Sequence, residues 1–122
     1  MRALLIIPLL ALVTGCTTLN TLQTALGTTV TPTQALVAAN AFDAAESGAS
    51  GFLVYCKSNL SSAACSADNR RAVIKYTRAG RAARNQIETY IQSSTSIPAA
   101  VYNALVTAVT NLKSTPAAAY AK

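Results

Sequence analysis

The sequence has no histidine and no tryptophan, only four acidic residues, and no apolar run long enough to cross a bilayer. Each absence excludes something. Without histidine the usual general base at neutral pH is missing, and with it the Ser-His and Cys-His nucleophile pairs. The acids are Asp43, Glu46, Asp68 and Glu88. Asp43 and Glu46 stand three apart, and two such carboxylates can in principle serve as a glycosidase-like acid and base. A solvated helix face is the ordinary use of that spacing. Ser58 beside Lys57 has no Ser-Lys motif around it, and none of the five glycines belongs to a phosphate-binding loop. The longest apolar stretch, Ala3 to Val13, has about eleven residues, where a spanning helix needs roughly 20. The sequence therefore offers no catalytic residue, no metal site and no cofactor site, and the expectation is a protein that is not an enzyme.

What the chain does have is alanine, basic charge and three cysteines. Ten Lys and Arg against four Asp and Glu give a net charge of +6, yet charged residues are only 11% of the 122. Alanine with small polar residues favours closely packed helices, with a thin core, because alanine buries little area. The length suits one domain.

The N-terminus carries an address. Met1-Arg2 is a charged start, the apolar run follows, and Val13-Thr14-Gly15-Cys16 closes it. This is the layout of a secretory signal peptide, and Val-Thr-Gly-Cys resembles the lipobox of bacterial lipoproteins. The resemblance implies that the Cys16 sulfur receives a diacylglyceryl group, that a peptidase removes residues 1–15, and that the new amino group is acylated. Two or more acyl chains hold a protein firmly on a membrane. Thr17, not Asp, follows the cysteine, which in Gram-negative members implies sorting to the outer membrane, facing the periplasm. With Cys16 lipidated, Cys56 and Cys65 remain as a pair, most simply a disulfide in an oxidising compartment. Their spacing fits no zinc pattern.

Periodicity predicts an all-α fold, a small three-helix up-down bundle over about 33–57, 66–92 and 97–113. Thr31-Pro32 reads as N-cap and first helical residue. Ala35, Ala38, Phe42, Ala45, Ala49, Phe52 and Cys56 then form one stripe. Gly48 and Gly51 interrupt it, marking a bend or a close helix contact. Val73, Tyr76, Gly80, Ala83, Ile87 and Tyr90 form the second stripe, and Val101, Leu105, Ala108 and Leu112 the third. No segment shows the sustained alternation of a strand. The expected organisation is a signal peptide (1–15), the lipidated cysteine with a flexible Thr-rich tether (16–31) spanning on the order of 20 Å, a bundle (32–114) and a flexible tail (115–122).

The second helix bears the one marked charge pattern. Arg70, Arg71, Lys75, Arg78, Arg81 and Arg84 lie mostly away from its apolar stripe, with Arg71, Lys75, Arg78, Arg81 and Arg84 the candidate contact residues. One reading is a solubilising face, partly neutralised by Asp43 and Glu46 from the neighbouring helix. The other is a contact surface for an acidic protein, a lipid or lipopolysaccharide phosphates, since arginine suits forked contacts to phosphate and carboxylate. Nucleic acid is a poor partner for a periplasmic protein. The expected function is a lipid-anchored, non-enzymatic structural or interaction module of the cell envelope. Two alternatives stand beside it. One is a phage- or plasmid-encoded envelope-modifying lipoprotein. The other is a membrane-to-peptidoglycan tether: the lipobox at one end and Tyr120-Ala121-Lys122 at the other resemble the murein lipoproteins, whose terminal lysine is joined to peptidoglycan. That resemblance covers only the two ends, and Ala121 stands where those proteins have a basic residue. Periodicity does not decide between packing within the chain and packing between chains.

Overall fold

In a computed structural model, which describes residues 29–121, Thr31 opens the first helix, α1 (Pro32–Ser58). The Thr31 hydroxyl accepts from the Gln34 backbone N–H at 3.3 Å, and the Thr31 N–H donates to Gln34 Oε1 at 3.0 Å. This capping box satisfies two helix-end donors at once. A 3₁₀ turn (Ala63–Cys65) leads into α2 (Ala67–Gln92). Ser66 caps it by accepting from the Asn69 N–H at 3.2 Å, and Asp68 suits the positive end of the helix. The third helix, α3, spans Ala99–Lys113.

The protein is all-α, with three packed helices, as the apolar periodicity predicts. Of the first stripe, Ala35, Ala38, Phe42, Ala49, Phe52 and Cys56 are buried and Ala45 partly so. Val73, Gly80, Ala83 and Ile87 are buried on α2, with Tyr76 and Tyr90 packed at the edge. On α3 the stripe widens beyond Leu105, Ala108 and Leu112 to include Tyr102, Val106 and Val109. The physical reason is that α3 packs against both other helices.

Three boundaries differ from the sequence reading. The end of the expected tether is not loose, because Thr29–Val30 (β1) pairs antiparallel with Ile97–Pro98 (β2), Val30 opposite Ile97. Two residues per strand are too few to show alternation, but burial of Val30 and Ile97 holds the pair. The same pairing moves the start of α3 from 97 to Ala99.

The third difference is the C-terminal tail. Pro116–Tyr120, expected as a flexible tail, is a 3₁₀ turn packed on α1. Thr115 caps it, Ala117 is buried, and the Tyr120 ring lies 5.7 Å from Phe52 and 5.3 Å from Tyr55. Gly48 makes room: a Cβ there would meet the Ala117 carbonyl oxygen at 2.9 Å and the Ala121 nitrogen at 3.0 Å.

Candidate functional site

Cys56, at the end of α1, and Cys65, in the 3₁₀ turn before α2, form a disulfide with Cα atoms 5.3 Å apart. The bridge clips the α1–α2 hairpin at its turn. Both cysteines are buried. The Arg70 Nε donates to the Cys65 carbonyl at 3.1 Å, tying α2 back onto the turn.

Beyond the turn, two ion pairs join the helices. Arg81 pairs with Glu46 through its Nε. Arg84 grips Asp43 with both ends of its fork, at 2.6 and 3.1 Å, and reaches Glu88 at 3.2 Å. The hydrogen bond and charge of Asp43 push Arg84 further above the ordinary guanidinium value. Bidentate geometry of this kind is specific to arginine. The carboxylate pair Asp43 and Glu46 thus faces guanidinium groups of α2. Among the described residues no three His, Cys, Asp or Glu side chains gather as a metal site.

The five-cation face therefore divides. Arg81 and Arg84 are held by carboxylates of α1, the partial neutralisation that the sequence allows. Arg71, Lys75 and Arg78 stay exposed on the outer side of α2. Arg71 meets Asp68 at 2.6 Å, but both side chains are at least three-quarters exposed, so solvent screens that pair to little energy. Lys75 lies 6.0 Å from the Tyr76 ring centre, the limit of a cation–π contact. Cys16 and Lys122, the expected lipidation and peptidoglycan-attachment residues, lie outside the described residues, as does the signal segment 1–15.

An open groove beside β1 is lined by Val30, Thr31, Pro32, Ile91 and the segment Ser94 to Ile97. None of these side chains is ionisable. On α3 the Tyr102 hydroxyl is buried and meets no hydrogen-bond partner among the described residues. Burial pushes that phenol above its usual value. Sequence reasoning missed this group because Tyr102 falls beside the third stripe. It also missed Gln34 in the capping box, although Thr-x-x-Gln is its recognised signal. No helix of the described residues is long and apolar enough to cross a membrane. Comparison of the chain with known protein families, curated proteins and solved structures finds no match.

Proposed function

We propose that this chain is a lipid-anchored protein of the bacterial cell envelope, held in the outer membrane through acyl groups on Cys16. Its bundle acts as a non-enzymatic interaction module on the periplasmic side. The observation that carries this reading is the Cys56–Cys65 bridge. Disulfides persist in oxidising compartments such as the periplasm. The bridge uses two of the three cysteines and leaves Cys16, at the lipobox position, as the third. The packed fold begins at Thr29, about 13 residues along the chain from Cys16, a reach of at most ~45 Å when extended. The module would thus stay close to the membrane that holds it. Its contact surface is the outer face of α2, where Arg71, Lys75 and Arg78 are exposed.

The test is mass spectrometry of the chain extracted from cell envelopes, with and without muramidase digestion, beside a Cys16→Ser variant fed labelled palmitate. The expected result is an acylated chain beginning at Cys16, unchanged by muramidase, with label lost in the variant. An uncut or unacylated chain overturns the reading. A muropeptide adduct on Lys122 would replace the interaction module with a membrane-to-wall tether.

A further inference from the structure

The two ends of the bundle differ in charge. Three of the four acids, Asp43, Glu46 and Glu88, are bound to Arg81 and Arg84, away from the disulfide. The half of the hairpin toward the clip holds Lys57, Arg70, Arg71, Lys75 and, one turn before Arg81, Arg78, against the single carboxylate Asp68. The ion pairs Glu46–Arg81 and Asp43–Arg84 are three residues apart on each helix in opposite order. Continued toward the turn, that antiparallel register sets Lys57 level with Arg70, beside the basic stripe.

Large apolar side chains are also exposed there. Val54 is 64% exposed, Leu60 62% and Ile74 37%. Arg71, Ile74, Lys75 and Arg78 recur at i, i+3, i+4 and i+7, one face of α2. That face is opposite the buried Val73, Thr77 and Gly80. An aliphatic side chain thus sits inside the basic stripe, and Leu60 is exposed on the hairpin turn that leads into α2. A surface that mixes arginine, lysine and aliphatic residues matches the membrane–water interface. Headgroup phosphates meet the cations, and the aliphatics enter the layer beneath.

We propose that the disulfide-clipped end of the α1–α2 hairpin docks on an anionic lipid surface through Arg71, Lys75 and Arg78, with Leu60 and Ile74 entering the headgroup layer. The proposal names the partner of the face put forward above and rests on that reading for the nearness of a membrane. The geometry allows both attachments on one leaflet. α1 has 27 residues and is about 40 Å long, comparable to the ~45 Å reach of the tether. A bundle lying along the membrane brings its basic end to the surface without stretching the tether.

The experiment uses the mature chain, residues 16–122, carrying Cys16→Ser so that no acyl group contributes. It is sedimented with vesicles of phosphatidylcholine alone, and of phosphatidylcholine and phosphatidylglycerol in equal amounts. Binding to the anionic vesicles is expected to exceed binding to the neutral ones by about a hundredfold, and to fall away near ~0.5 M salt. Each cation near the surface contributes about fivefold in partition. The triple variant R71Q/K75Q/R78Q is therefore expected to lose about a hundredfold while keeping its helical circular dichroism. The pair L60S/I74S is expected to lose about tenfold and keep the salt dependence. Lys113→Gln, on α3, is expected to change binding less than twofold.

Equal binding to the two vesicles overturns the proposal, as does no binding, or binding that survives the triple variant. A salt-sensitive complex with an acidic protein in place of lipid also overturns it, and so does a dimer that buries Leu60 and Ile74. Because the chain tested carries no acyl group, failure here leaves the Cys16 anchor standing, and failure of palmitate labelling leaves this result standing.

Discussion

The two sides of α1 are packed by opposite means. Toward α2, the Phe42 ring fills the space that a side chain at Gly80 would take, and a Cβ there would lie 2.6 Å from Phe42 Cδ2. The ion pairs to Arg81 and Arg84 close the outside of this seam. Toward the C-terminal 3₁₀ turn the Tyr120 ring packs on Phe52 and Tyr55, while Gly48 lets the Ala117 and Ala121 backbone approach. One glycine is a socket for a side chain and the other a bearing for a backbone. The lesson is that what must move decides the effect of an added methyl. Phe42 is 0% exposed and enclosed by the core. The C-terminal turn is anchored by one small buried residue, Ala117, with Tyr120 packed at the edge of the core.

The comparison predicts its largest effect at the socket. Gly80→Ala is expected to destabilise by about 3 kcal/mol, because overpacking at a sealed ring outweighs the gain in helix propensity of about 1 kcal/mol. Chemical denaturation measures it, and Phe42→Leu added to Gly80→Ala is expected to restore part of the loss. No restoration would mean that the ring is not the obstacle. Next comes the clip on the same side. Reducing Cys56–Cys65 releases a loop of about ten residues and is expected to cost about 2–3 kcal/mol. The thermal midpoint should fall by on the order of 10–20 °C. An unchanged midpoint would show that the Phe42–Gly80 seam holds the hairpin alone.

Most of this architecture was readable in advance, for an identifiable reason. Alanine, phenylalanine and leucine at spacings of three and four declare a buried face, and Thr31-Pro32 and Ser66 declare where helices begin. The arginine–carboxylate pairing was readable only as one of two alternatives. Residue spacing places Arg81 and Arg84 on a face of α2, but the distance to Asp43 depends on the register of two helices. The docked tail was not legible. Pro116 to Tyr120 has too few large side chains to form a stripe, and its seat is made by an absence, the missing Cβ of Gly48. Gly48 and Gly51 did signal a close contact, but not which segment makes it. The short β1–β2 pair was hidden for the same reason of length. The lipobox resemblance at Cys16 is a linear motif outside the described residues, so the fold does not bear on it.

The bearing side carries the middle of the scale. Gly48→Ala is expected to destabilise by about 1–2 kcal/mol, less than Gly80→Ala, by pushing Ala117 and Ala121 outward. Limited carboxypeptidase digestion should then remove residues through Tyr120 faster than in the parent chain. A global loss equal to that of Gly80→Ala would erase the distinction between socket and bearing. Tyr102→Phe tests the remaining helix, α3. Its hydroxyl is buried without a hydrogen-bond partner among the described residues, so its removal is expected to stabilise by about 1 kcal/mol. The pH dependence has a definite sign. Burial raises the folded-state value above the ordinary 10.0, so the unfolded chain releases this proton first. The stability linked to Tyr102 is full below about pH 10 and is lost as pH rises through the folded value. Melting curves should show a smaller alkaline decline for Tyr102→Phe than for the parent.

The smallest effect has the opposite sign to its neighbour. Gly51 is three residues from Gly48 on the same helix, yet a Cβ there would lie 3.4 Å from the Tyr120 Cβ and 3.6 Å from its carbonyl oxygen. Those are ordinary contacts, so nothing has to move. The gain from replacing a helical glycine by alanine, up to about 1 kcal/mol, then dominates, and Gly51→Ala is expected to stabilise by about 0.5 kcal/mol. Equilibrium denaturation of the two single variants side by side makes the comparison direct. If Gly51→Ala destabilises as much as Gly48→Ala, Tyr120 must be wedged against Phe52 and Tyr55 too tightly to accept one more methyl. Tyr120 would then be as tightly fixed as the buried Ala117.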